Sequence, residues 1–269
     1  MSYSEEDKAA TLLTRLREQK PLIHHITNMV VMNDTANITL AIGALPVMAH
    51  ALEEVEEMVN LAEALVLNIG TLDPRQVESM LRAGKRANER DIPIVLDPVG
   101  AGATRLRTQT SLQLLNKLRI SVIRGNAAEV AALVGVTSET RGVESISVAE
   151  DRETIAHRAA KEFGCIVVIT GAQDLISNGN RMAKVDNGHP LLASITGSGC
   201  MSTSLVGAFL AIEPDPLYAA TTALMVMGLA GEFAAPKAGG PGTFRSHLLD
   251  AVAGMNEEAI VRGQKVSFA

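Results

Sequence analysis

Two glycines stand directly before a long apolar run in Thr196-Gly197-Ser198-Gly199-Cys200, which opens a helical stretch at residues 201–212. A helix that starts there offers unpaired N–H groups and the positive end of its dipole, and glycine lets a phosphate come close to the backbone. The pattern suits an anion hole for a phosphoryl group in transfer. It equally suits a glycine-rich turn in front of a core helix. The chain contains neither G-x-x-x-x-G-K-S/T nor a complete G-x-G-x-x-G, so the P-loop and dinucleotide fingerprints lose their support. Cys200 falls at the helix start, where dipole and amides favour thiolate and predict a lowered thiol pKa. A thiol there can accept a proton from a substrate hydroxyl, or it can be packing.

Three further groups of polar residues follow short apolar runs. Asp97 opens Asp97-Pro98-Val99-Gly100-Ala101-Gly102, Arg124 opens Arg124-Gly125-Asn126-Ala127-Ala128-Glu129, and Thr170 precedes Gly171. Asn126 with Glu129 three residues on has the spacing of a capping box. A carboxylate at a strand end can also orient a Mg²⁺ shell, directly or through water, and one Glu129 can do both. Asp97 begins an Asp-Pro turn, yet it stands where phosphates and metal would gather. His24 and His25, in Ile23-His24-His25-Ile26-Thr27-Asn28, have no partner at metal-ligand spacing and read as structural or substrate-lining. Asn28 can hydrogen-bond a small polar ligand, and Met48 can offer a soft contact to an aromatic ring or simply belong to the core.

The elements that must position these residues are legible as apolar runs without alternation, the mark of parallel strands covered on both faces. Residues 64–69, 92–96 and 165–170 qualify clearly and 121–124 more weakly. Apolar residues three or four apart predict helices over 74–88 and 149–163. Strands alternating with helices imply an α/β sheet with crossover helices, in which ligands bind beyond the carboxyl ends of the strands. Those ends are where Asp97, Arg124 and Thr170 fall. Residues 136–147, rich in Thr, Ser and Glu, read as an exposed loop inside a single domain spanning 1–269. Glu53, Glu54, Glu56 and Glu57 read as a solvated helix face.

Composition narrows the classes further. A chain of 269 residues, 47% hydrophobic with no biased tract, can bury one large core and is not a disordered tail. Thirty acidic against 24 basic side chains, with no basic stripe, argue against a nucleic-acid partner. The acidic start is unlike a secretory signal, so a cytoplasmic protein is expected. Residues 201–212 and 217–231 are apolar but fall short of the ~20 needed to span a bilayer, which predicts buried helices and no membrane partner. Cys165 and Cys200 match neither a disulfide framework nor a zinc site.

The set as a whole resembles the hydroxyethylthiazole kinase family. The matching pieces are residues 24–28, 97–102, 124–129, 169–171, 196–200 and 240–245 (Gly-Pro-Gly-Thr-Phe-Arg), in order over roughly 20–250. The resemblance implies a ribokinase-like three-layer α/β sandwich with a mainly parallel central sheet and no separate lid domain. It also implies a homotrimer with sites between neighbouring subunits, and ATP-dependent, Mg²⁺-assisted phosphorylation of the primary alcohol of 4-methyl-5-(2-hydroxyethyl)thiazole in thiamine biosynthesis. Arg124 and Thr170 match nucleotide-contacting positions. Met48 and Gly197 match thiazole-contacting ones, with Asn28 as a further substrate neighbour. Asp97 and Glu129 would orient the metal, the Gly197-Ser198-Gly199 amides would meet the transferring phosphoryl group, and Cys200 would take the alcohol proton. Many ribokinase-like enzymes carry aspartate where this chain has Cys200. That difference favours the thiazole branch over a hydroxymethylpyrimidine-type kinase or a nucleotide-dependent hydratase-repair lyase. A non-catalytic nucleotide-binding regulator would not need the full set of strand-end polar residues.

Overall fold

The computed structural model describes residues 5–136, 138–141, 144–148 and 151–269. Its strands are β1 (Leu22–Ile26), β2 (Leu45–Val47), β3 (Ala64–Asn68), β4 (Ile94–Asp97), β5 (Val122–Asn126), β6 (Ser138–Arg141), β7 (Glu144–Val148), β8 (Ile166–Thr170), β9 (Asp174–Ser177), β10 (Met182–Val185) and β11 (Val266–Phe268). Its α-helices are α1 (Glu5–Gln19), α2 (Met32–Ile42), α3 (Val55–Leu61), α4 (Pro74–Glu89), α5 (Arg105–Lys117), α6 (Ala127–Leu133), α7 (Arg152–Phe163), α8 (Ser198–Leu210), α9 (Pro216–Ala234), α10 (Pro241–Ala253) and α11 (Glu257–Gly263). Nine strands form one sheet in the order β11-β10-β9-β8-β5-β4-β3-β1-β2. From β2 to β8 neighbours run parallel, and β9, β10 and β11 extend that sheet antiparallel.

Side chains of a strand alternate between faces, and here both faces are apolar. In β3, Ala64 and Val66 join the core under α1, α2, α8, α9 and α10, whereas Leu65 and Leu67 join the core under α3 to α7. β4 and β8 divide in the same way, with Val95 and Val168 on the first face and Ile94, Leu96, Val167 and Ile169 on the second. The result is a three-layer sandwich. Helix ends are set locally. Asp73 caps α4 by accepting from the Arg75 and Gln76 amides with Pro74 in the first turn, and Gly43 closes α2 in the left-handed conformation.

Two expectations change. Residues 136–147 hold the antiparallel pair β6–β7 in place of a loop; residues 137, 142 and 143 lie outside the described ones, as does the exposure of the side chains over 137–150. The β-branched Thr, Ile and Val of this polar segment suit a hairpin, a signal that its composition hides. The apolar run read as 217–231 continues as helix over Pro216–Lys237, 22 residues with mean hydropathy 1.3, so length alone does not set it apart from a spanning helix. Its packing does: 89% of its most apolar window is buried inside the protein. The acidic residues 53, 54, 56 and 57 are exposed, as expected.

Strand β1 carries two charge-capable side chains through the core. His24 Nε2 lies 2.8 Å from the Ala49 carbonyl, His25 Nε2 lies 3.5 Å from Thr39 Oγ1, and neither Nδ1 has a partner. Burial pushes the His24 pKa down to about 4 and that of His25 to about 3, so both are neutral when folded. The unfolded chain regains the ordinary value near 6.5 and binds protons that the folded chain refuses as pH falls below it. Stability is therefore full above about pH 6.5 and drains toward the folded values, by up to about 1.4 kcal/mol per pH unit for each histidine. Carboxyl groups titrate in the same window, so the informative quantity is a difference. Urea melts at about pH 7.5 and about pH 5 are expected to show a smaller acid loss for His25→Leu than for wild type. An equal loss would mean that His25 is protonated inside the fold.

Candidate active site

Parallel registry brings the strand-end residues together. Asn68 in β3 sits opposite Asp97 in β4, and Asn126 in β5 opposite Thr170 in β8. Asn28 lies two residues beyond β1 on the same edge. The amino end of α8 meets this edge from above the sheet, and it begins at Ser198, three residues earlier than expected. Gly197 caps it with φ +87°, and a Cβ there would stand 2.5 Å from Val31 Cγ1; a Cβ on Gly199 would stand 2.5 Å from Arg124 Nη1. Gly197 is thus fixed by backbone and by space, and at Gly199 a side chain would have to push the Arg124 guanidinium aside. The first-turn amides, unpaired within the helix, face a guanidinium, and together they form an electropositive cradle.

Beneath the cradle runs a buried polar chain. Asn28 Nδ2 donates to Asn68 Oδ1 at 2.8 Å, and Asn68 Nδ2 donates to Asp97 Oδ2 at 2.9 Å and to Cys200 Sγ at 3.2 Å. Asn28 Nδ2 also reaches Cys200 Sγ at 3.6 Å, and Thr203 Oγ1 donates to Asp97 Oδ2 at 2.8 Å. Cys200 hydrogen-bonds Asp97 in turn. The thiol does not behave as its helix position predicts. Burial, reinforced by the Asp97 carboxylate, pushes its pKa up to about 12, against the expected lowering. Desolvation outweighs the helix dipole because the sulfur sits among side chains and not at an open helix end. Asn68 and Thr203 escaped the sequence reading. The available signal was that Asn68 ends an apolar run at the same place where Asp97 ends the next.

The Asn126–Glu129 capping box is formed: Asn126 Oδ1 accepts from the Glu129 amide and Glu129 Oε2 from the Asn126 amide, each at 2.8 Å. Glu129 Oε1 accepts from the Gly100 amide at 2.8 Å, which ties the Asp97–Gly102 turn to α6. Burial and the neighbouring Asp97 push the Glu129 pKa up to about 7. Arg107 fastens the same turn by donating to the carbonyls of Val99 (2.7 Å) and Gly70 (2.9 Å). Asp97 Oδ1, in contrast, is buried and accepts nothing, and burial raises the Asp97 pKa. An unpartnered carboxylate oxygen beside a second carboxylate fits a hard cation such as Mg²⁺, which keeps most of its own waters. Among the described residues no group of three or more His, Cys, Asp or Glu is clustered to hold a metal by itself.

Arg124 Nη2 donates to Thr170 Oγ1 at 2.8 Å, Nη1 lies 3.9 Å from Asp97 Oδ2, and Nε is buried without a partner. Arg124 and Thr170 are thus adjacent, as expected of a shared ligand. They line a cavity of about 610 Å³ that extends between the β8–β9 turn, residues 187–193 and α9. Its polar end holds Arg124, Thr170, Ser198 and Gly199, and its far wall is apolar, with Leu192, Leu224 and Met227. Asp174 and Asn187, which the sequence reading did not single out, also line it. Met48 lies one residue beyond the edge strand β2, half-buried on the same carboxyl edge, and does not line this cavity.

This arrangement has close counterparts. Residues 13–258 match the sequence profile of the hydroxyethylthiazole kinase family. Hydroxyethylthiazole kinase of Roseiflexus sp. (strain RS-1) is 55% identical over 255 residues, covering 95% of this chain and 94% of its own. That of Desulfatibacillum aliphaticivorans is 54% identical over 257 residues, covering 96% of each. The solved structure of the Pyrococcus horikoshii OT3 hydroxyethylthiazole kinase protein superposes with a TM-score of 0.90 at 46% identity, over 97% of this chain and 99% of that one. A ribokinase-like superfamily protein from Enterococcus faecalis, 13% identical with a TM-score of 0.62 over 86% of each chain, shares the fold. With a matching profile over nearly its whole length and relatives more than half identical to it, the chain belongs to the hydroxyethylthiazole kinase family.

Proposed function

We propose that this protein, acting as one domain, transfers the γ-phosphoryl group of ATP to the primary alcohol of 4-methyl-5-(2-hydroxyethyl)thiazole, a step of thiamine biosynthesis. The observation that carries the reading is the Gly197–Gly199 helix start packed against the Arg124–Thr170 pair beside a nucleotide-sized cavity. Base and sugar occupy the cavity, with the base against its apolar wall. The phosphates lie toward Arg124, whose guanidinium and unpartnered Nε neutralise them. The first-turn amides of α8 are fixed where charge develops on the transferring group, so no dipole has to reorient during the reaction. The alcohol approaches from the side of Asn28 and Met48. Cys200 Sγ, oriented by the Asn28 and Asn68 amides, accepts the hydroxyl hydrogen bond. With its pKa near 12 the thiol is protonated at neutral pH and almost no thiolate is available as a base, which is tolerable because phosphoryl transfer depends mainly on positioning and charge stabilisation. Asp97 and the water shell oriented by Glu129 would hold Mg²⁺, which when bound supplies charge to the phosphates.

Met29 and Val30 directly follow Asn28 and are 70% and 66% exposed, and Leu45 on the edge strand β2 is 44% exposed. The exposed apolar side chains of Met29 and Val30 beside the site support burial against a second subunit, in the homotrimer that the family resemblance implies.

Purified protein with Mg·ATP is expected to release ADP in the presence of the thiazole alcohol and not of the hydroxymethylpyrimidine alcohol; the reverse preference would reassign the substrate. Sedimentation should give a trimer, and a fully active monomer at assay concentration would remove the shared site. Cys200→Ala is expected to lower turnover by up to about a hundredfold with near-normal ATP KM, the low end of general-base effects. Cys200→Asp is expected to keep at least wild-type turnover, because the neighbouring Asp97 raises a new carboxylate's pKa toward the working pH. Arg124→Ala should instead raise ATP KM more than thiazole KM. Unchanged turnover in well-folded Cys200→Ala would show that the thiol only packs.

A further inference from the structure

Among the described residues lining the nucleotide cavity, Asp174 is the one acid. An acid is out of place in a pocket built for a triphosphate unless it accepts hydrogen bonds from a neutral donor. Its surroundings hold it firmly. The Gly171 amide donates to Asp174 Oδ1 at 2.9 Å, closing the β8–β9 turn. Arg152 clamps that turn from α7, donating from Nη2 to the carbonyls of Gln173 (2.8 Å) and Ile169 (3.2 Å). Gln173 Nε2 adds a bond to Asp186 Oδ1 at 2.7 Å. One carboxylate oxygen is therefore committed to the backbone, and Oδ2 makes no such bond to the turn.

Its position along the cavity is informative. The turn begins at Thr170, bonded to Arg124 at the phosphate end. Asp174 pairs in register with Val185 of β10, which leads directly into the wall at residues 187–193. Asp174 thus lines the cavity at the end of the turn that starts from the Arg124-bonded Thr170, and on the strand paired with the one that leads into residues 187–193. Burial pushes its pKa up to about 6, which leaves it ionised at neutral pH.

We propose that Asp174 is the specificity-determining acceptor for the ribose hydroxyls of the nucleotide and makes this enzyme discriminate ribonucleotides from deoxyribonucleotides. This rests on the kinase reading given above. A carboxylate is suited to the role because vicinal hydroxyls are neutral donors whose bonds to a charged acceptor are strong. No cation is required, since a lone carboxylate beside Arg124 and Arg152 is already compensated.

The test compares ATP with 2′-deoxyATP and 3′-deoxyATP. Wild type is expected to prefer ATP over at least one of them by about tenfold or more in kcat/KM, the scale of one hydrogen bond to a charged group. Asp174→Asn keeps an oxygen for the Gly171 amide but replaces the second acceptor by a donor. It is expected to cut the preference below about threefold, with the loss in nucleotide KM and not in KM for the alcohol. Equal use of all three nucleotides by wild type, or an undiminished preference in Asp174→Asn, would overturn the assignment. Calorimetric titration of wild type with ADP, 2′-deoxyADP and 3′-deoxyADP reads the same preference without turnover. A protein that binds ADP selectively yet phosphorylates no thiazole alcohol would refute the kinase reading and leave the role of Asp174 standing.

Discussion

Asp97 is a carboxylate at the end of a strand from which water is excluded, and much of the surrounding architecture compensates it. Burying a charge without partners costs several kcal/mol, so its neighbours cannot be chosen freely. Asn68 must end the adjacent strand with an amide, Thr203 must turn its hydroxyl down from α8, and Arg124 must stand close enough to share charge. A side chain at position 199 would in turn have to displace the Arg124 guanidinium. The glycine-rich start of α8 and the acid beneath it are therefore parts of one electrostatic arrangement, with Arg124 as the joint between them.

The same arrangement explains why the sulfur of Cys200 is held protonated. It lies in the layer that keeps Asp97 dry, so the desolvation that makes the carboxylate useful to a cation also penalises a thiolate. Positioning and basicity pull in opposite directions here, and the geometry favours positioning.

The parallel half of the sheet was legible because its strands are apolar on both faces: β3, β4 and β8 stand out as apolar runs, and β5, whose run stops at Arg124, more weakly. Strand β1 did not, since His24 and His25 occupy its centre, and nothing in their spacing reveals that both are buried and neutral. Strands β9 to β11 are three or four residues long and take their register from β8, a tertiary fact. Among site residues, those in glycine-containing motifs could be named from the sequence. Asn68, Thr203 and Asp174 are single polar residues without a spacing signature, and only the fold puts them beside Asp97 or in the cavity. The direction of the Cys200 shift was read wrongly because helix position is written in the sequence and burial is not.

Arg124 and Thr170 meet across β5 and β8, which are neighbours in the sheet although 46 residues separate the pair in the chain. Everything between them, α6, the β6–β7 hairpin and α7, leaves the sheet at β5 and returns at β8 without entering the ladder that sets their distance. The β6–β7 pair packs on α6 and, among the described residues, is hydrogen-bonded to no strand of the main sheet. Loop-closure entropy grows only slowly with length, so this connection is a place where the chain can gain or lose residues at small thermodynamic cost. A change of length in this connection would leave the two nucleotide-facing strands in register, because it enters none of the pairings that set that register.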